Sequence, residues 1–171
     1  MNVALVRYGA VPEVARAGIP AELTIRRDDE VIVETHRGLE PGKVLELIKP
    51  PVEPGVEVVE PSFQIQRLKT EADCQQEVIL RERVQAEFDD WYQRIEDWGL
   101  DLQLIDIDWT LDGEKQILYV LNERGPECTK LALQAAAAGL GIIEVQPVGE
   151  DGPVAMPSSG GGGGCGSCGS H

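Results

Sequence analysis

Residues 101–121, DLQLIDIDWTLDGEKQILYVL, carry the reading that decides the fold. Two runs of strand-forming residues meet at Asp112-Gly113, a pair suited to positive backbone dihedral angles, so the segment is predicted to be a β-hairpin. Ile105, Ile107 and Trp109 alternate with Asp106 and Asp108, which puts the apolar set on the covered face and both carboxylates outward. The i,i+2 spacing of the two aspartates would also suit a divalent metal or an acid/base pair. No histidine, third carboxylate motif or glycine-rich phosphate loop accompanies them, and solvated strand surface is the reading adopted.

Outward from the hairpin, the period becomes helical. Leu80, Val84, Phe88, Trp91, Ile95 and Trp98 follow four-three spacing within a helix predicted over 71–98. Thr70 is its N-cap, Asp73 completes a weak capping box, and Gly99 stops it. The stripe is too short to insist on a coiled coil and is expected to pack across the following sheet, with binding of a partner helix as the alternative. Downstream, Glu127 to Ala138 reads as a second helix ended by Gly139 and Gly141, and Ile142 to Val148 as a last strand. The order is α-β-β-α-β, whose compact solution is a mixed sheet covered by two helices. Cys74 and Cys128 each begin a helix, where thiolates are somewhat favoured, but both are read as structural.

Upstream, the chain is β-rich. A strand from Val3 to Tyr8 ends at Gly9 and Pro12, and Ala21 to Thr35 reads as a hairpin with Asp28-Asp29 at its tip. Lys43 to Ile48 supplies a further strand. Strands of this length so close together fit a small open barrel or a strongly curved sheet. Pro50, Pro51, Pro54 and Pro61 mark a boundary, with 52–60 read as linker rather than edge strand. The fold class is α+β, divided into a β-rich region over 1–60, an α-β-β-α-β domain over 61–149 and a flexible glycine-rich tail over 150–171.

Fifteen basic against thirty acidic residues give a formal charge of -15, which repels nucleic acid and anionic lipid at long range. The start, MNVALVRYGAVPEV, has neither a basic leader nor a continuous apolar run, so a cytoplasmic protein with reduced thiols and no membrane insertion is expected. The tail, GGGGGCGSCGSH, presents Cys165, Cys168 and His171 as soft or borderline metal donors. Zinc, or an iron-sulfur cluster shared with a partner chain, is one reading; a solubilising tail without ligand is the other. Thiol-disulfide exchange is disfavoured because glycine does not support the helix that would lower a thiol pKa.

A nucleic-acid site through Arg26, Arg27 and Arg37 is an alternative, opposed by the global charge and by the lack of an aromatic ladder. An enzyme is not expected: His36 lies beside Glu34 and Arg37 without a nucleophile, Ser62 has no adjacent base, and no phosphate-binding loop or dinucleotide fingerprint occurs.

Two stretches, EVIVETHRGLEPGKVLE (30–46) and LQLIDIDWTLDGEKQILYVLNE (102–123), resemble the bacterial polymerase-suppressor (PSP1) C-terminal-domain family, the YaaT/RicT-like regulatory proteins. The first signature, a strand, E-T-x-R-G and a glycine before another strand, is matched by Glu34, Thr35, Arg37, Gly38 and Gly42. The second, a hydrophobic-Asp strand, a Thr and an Asp-Gly turn, is matched by Asp106, Thr110, Asp112 and Gly113, and Ile143, Glu144 and Gly149 loosely meet a third. The resemblance spans residues 3–149. It implies a non-enzymatic accessory protein that joins protein partners in an assembly carrying iron-sulfur clusters and influencing mRNA processing by an endoribonuclease. In place of the family's cysteine-rich ending stand Cys165, Cys168 and His171. The expectation is a cytoplasmic adaptor whose body recognises partners and whose tail completes a metal or cluster site; an RNA-binding module is the alternative.

Overall fold

The computed structural model describes residues 2–154, apart from 50, 52, 58–59 and 122–125. It is an α+β fold with a closed five-stranded barrel, two helices and a second, mixed sheet.

The barrel is built from β1 (Asn2–Tyr8), β2 (Glu13–Ile19), β3 (Glu30–Glu34), β4 (Leu39–Ile48) and β5 (Phe63–Leu68), in the order β1-β2-β5-β3-β4. The β2–β5 pair is parallel and the others are antiparallel. Closure removes the free edges that an open sheet of this size would expose. Ala4, Val6, Ala17, Val31, Val33, Val44 and Ile65 fill the interior.

The expected hairpin over 21–35 forms only in its second half. The turn at Asp28-Asp29 is present, with Asp28 at φ 69 and the Asp29 carboxylate accepting from Arg26 N at 2.7 Å. Residues 21–27 are irregular, and Leu23 and Ile25 pack onto the barrel core instead of pairing with β3. The strand lies earlier, at 13–19, where Val14 is exposed and the buried positions are Ala17, Gly18 and Ile19, of which Ala17 and Gly18 are too small in side chain to register with Ile19 as an apolar face. β5 falls beyond residue 60 yet belongs to the barrel, paired to β2 and β3. β4 begins at Leu39, so Pro41 and Gly42 lie within a strand rather than in a connection. A Cβ on Gly42 would sit 2.6 Å from Val6 Cγ1, so the barrel wall is open to glycine alone there.

The second unit follows the expected order: α1 (Glu71–Asp97), β6 (Gln103–Trp109), β7 (Lys115–Leu121), α2 (Glu127–Ala137), β8 (Ile142–Gly149) and a short β9 (Gly152–Pro153). β6 and β7 are antiparallel, whereas β7 and β8 are parallel and joined through α2. Leu80, Trp91 and Ile95 of α1 are buried, with Val84, Phe88 and Trp98 half-buried along the same stripe. The Thr70–Asp73 capping box is complete, and Arg67 ion-pairs with Asp73.

β7 is buried on both faces. Leu118 and Val120 meet Trp91, Ile95, Leu131 and Ala135 of the helical layer, while Ile117 and Tyr119 form a separate cluster with Val148 and the half-buried Val11 of the β1–β2 connection. The sheet therefore lies between helices and barrel, which explains why β7 reads as an unbroken apolar run.

Candidate functional site

The β3–β4 connection is a tight loop in which Thr35 N donates to Gly38 O at 2.9 Å and Gly38 N to Thr35 O at 3.2 Å. Gly38 takes φ +137, a conformation that L side chains rarely adopt, and its open side faces Thr110, whose Cγ2 would lie 3.2 Å from an added Cβ. One residue on, Leu111 N donates to Leu39 O at 2.8 Å. The two sequence signatures thus touch each other where the barrel meets the second sheet.

The loop turns Arg37 into that junction. Its side chain has no exposed surface. Nε donates to Glu40 Oε2 at 3.2 Å, Nη1 to the Tyr119 hydroxyl at 2.9 Å and Nη2 to Glu13 Oε2 at 2.9 Å. Thr35 Oγ1 donates to Glu40 Oε2 at 2.6 Å and accepts from Arg37 N at 3.1 Å. The guanidinium carbon also lies 5.5 Å from the Tyr8 ring centre and 5.8 Å from that of Tyr119. Burial works against the Arg37 charge, but Glu40, Tyr119 and Glu13 outweigh it and raise its pKa, so the guanidinium is permanently charged. Burial, then Glu13, pushes Tyr8 up to about 12, and burial raises Tyr119 as well.

Asp108 closes the junction from β6. Its Oδ2 accepts from Ala10 N at 3.1 Å and its Oδ1 from Trp109 N at 2.9 Å. Burial, then the Glu40 charge, pushes its pKa up to about 6. The expected outward placement of the hairpin carboxylates is corrected here: both Asp106 and Asp108 are half-buried, and Ile105 is exposed. A register shift between Leu104 and Asp106 interrupts the alternation. Among the described residues, no group of three or more His, Cys, Asp or Glu could hold a metal ion.

The signature residues form local structure around this network. Thr110 Oγ1 donates to Asp112 Oδ1 at 2.6 Å and accepts from Lys115 N at 3.2 Å, and Gly113 takes φ +72. The Thr110 hydroxyl holds the Asp112 carboxyl below the usual carboxylate range. Glu34 is exposed and accepts from Gln66 Nε2 at 2.6 Å. Of the basic residues read as phosphate contacts, Arg26 and Arg27 are exposed, Arg27 lying 3.8 Å from Glu46. Arg37 is enclosed and cannot reach a phosphate, because its donors are already engaged inside the protein. His36 is exposed, stacked on Phe63 and 3.7 Å from Glu144 Oε1. Cys128 is buried, which raises its thiol pKa and opposes the thiolate that a helix start would favour. Cys165, Cys168 and His171 lie outside the described residues.

Sequence reasoning missed Glu13, Glu40 and Tyr119 as partners of Arg37. Only the i,i+3 spacing of Arg37 and Glu40 offers a local signal; Glu13 and Tyr119 come from other strands.

No family model and no solved structure matches the chain. Over 133 residues it is 31% identical to stage 0 sporulation protein YaaT of Bacillus subtilis (strain 168). The similarity is to YaaT. The matched region covers 76% of this chain and 46% of YaaT, so the chain spans about half the length of that curated relative.

Proposed function

We propose that the chain is a non-enzymatic regulatory adaptor of the polymerase-suppressor C-terminal-domain family, acting through protein partners in an assembly that affects mRNA processing by an endoribonuclease. The observation that carries the reading is the use of the signature residues. Arg37, Thr35 and Gly38 of the first and Thr110, Asp112 and Gly113 of the second join the barrel to the sheet and shape their own turns. Such residues specify a scaffold, and a scaffold functions by what it holds. Likeness to a protein named for an early stage of sporulation supports a regulatory role.

In this reading the tail supplies a metal site in which Cys165, Cys168 and His171 bind zinc, or share an iron-sulfur cluster with a partner chain. Affinity capture of the native complex from cells, comparing the full chain with one ending at Gly152, tests both parts. The full chain is expected to retain specific protein partners. Loss of those partners on truncation assigns them to the tail and retention assigns them to the body, whereas no partner with either chain contradicts the adaptor. Metal analysis of the anaerobically purified complex is expected to find Zn or Fe with the full chain alone; finding neither removes the metal reading.

A further inference from the structure

The junction contains more carboxylate than cation. Arg37 spends its donors on Glu40 Oε2, Tyr119 and Glu13 Oε2. Glu40 Oε1 is left with no hydrogen-bond partner among the described residues, although the Glu40 side chain is 2% exposed. A buried acceptor without a donor costs on the order of 1–3 kcal/mol, and more when it is charged. Asp108, half-buried nearby, receives one backbone N–H on each oxygen and, among the described residues, pairs with no cation. Both residues line a cleft of about 480 Å³ between β6, the start of β4 and α1.

The opposite wall of the cleft is made by α1 and contributes Leu80 and Val84. Glu77 and Arg81 stand on the same helix, with Glu77 already paired to Lys69. A dry acceptor and a second carboxylate set against an apolar wall match a long aliphatic stem with a cationic head. They do not match a metal ion, since the described residues offer no group of three or more ligands.

We propose that this cleft binds an ammonium or guanidinium group carried on an aliphatic stem, with Glu40 Oε1 and Asp108 as acceptors and Leu80 and Val84 against the stem. The site stands independently of the adaptor reading. Either a basic side chain of a protein partner or a free aliphatic amine could supply the group, and both present the same chemistry.

The test is a titration of the full chain with agmatine, with a short neutral-capped peptide containing one arginine, and with n-butanol as an uncharged control. Its readout is the indole N–H resonance of Trp109, which lines the cleft and has no hydrogen-bond partner among the described residues. Trp109→Phe assigns that resonance. Saturable shifts with the cationic probes and none with butanol are expected. Asp108→Asn should weaken the binding by about tenfold, the loss of one charge-assisted hydrogen bond, while leaving the remaining spectrum folded. Tighter binding of the peptide assigns the group to a partner and tighter binding of agmatine to a free amine; each supports the site. Equal shifts with butanol, no shift with either cation, or unaltered affinity in Asp108→Asn would overturn it.

Discussion

Asp108 shows how a single side chain at the junction sets a pH dependence. Its folded pKa of about 6 lies above the usual aspartate value, so the protonated form is favoured by folding. The stability from that preference is fully present below about pH 4 and is lost as pH rises through 6. The groups that set this balance are Glu40, which raises the pKa, and Arg37 and the backbone N–H groups of Ala10 and Trp109, which lower it. Asp108→Asn is therefore expected to be more stable than the parent at pH 8 by about 1 kcal/mol, after discounting for a half-buried site and for the backbone bond that an amide cannot accept. The gain should disappear near pH 4. Urea denaturation of both proteins across that range checks it; a gain independent of pH would show that Asp108 is ionised in the fold without penalty. Asp73 behaves oppositely: the hydrogen bond from Arg67 is the largest cause holding its carboxyl below the ordinary range, so its contribution is lost as pH falls below about 4.

At the scale of elements, α1 depends on its cap and the β3–β4 hairpin on Gly38. Thr70→Ala removes the acceptor for Asp73 N and should cost about 1 kcal/mol in thermal or urea unfolding. Gly38→Ala is expected to cost more, on the order of 2 kcal/mol, because the strained φ is joined by contact with Thr110. A change below about 0.5 kcal/mol would mean that the loop relaxes freely. The elements legible in the sequence were those with strong periodic signals: the stripe from Leu80 to Trp98, and the hairpin around Asp112-Gly113. β2 was not legible, because Ala15, Ala17 and Gly18 carry little apolar contrast and because Leu23 and Ile25, which mimic a strand, pack onto the barrel core from an irregular segment. The bulge that exposes Ile105 is a property of strand pairing, which local alternation does not encode.

Across the whole molecule, barrel and sheet are tied through Arg37–Tyr119, Leu111–Leu39, Ala10–Asp108 and the Val11–Tyr119 packing. The site was legible only as a list of signature residues; its meaning required the fold. Arg37 reads as a surface base until Glu13, Glu40 and Tyr119 converge on it from β2, β4 and β7. All three tryptophans, Trp91, Trp98 and Trp109, lie in the second unit, Trp91 on α1, Trp98 at the C-terminal cap of that helix and Trp109 beside the junction, so their fluorescence follows the unfolding of that unit. The most direct measurement is urea unfolding of Arg37→Ala, a substitution in the barrel, followed by tryptophan fluorescence. Removal of the buried cation leaves Glu40 and Glu13 uncompensated and should destabilise the tryptophan-bearing unit by about 3 kcal/mol in a single transition. A tryptophan transition with the midpoint of the parent protein would contradict the account, because Arg37 would then not be joining the barrel to the sheet.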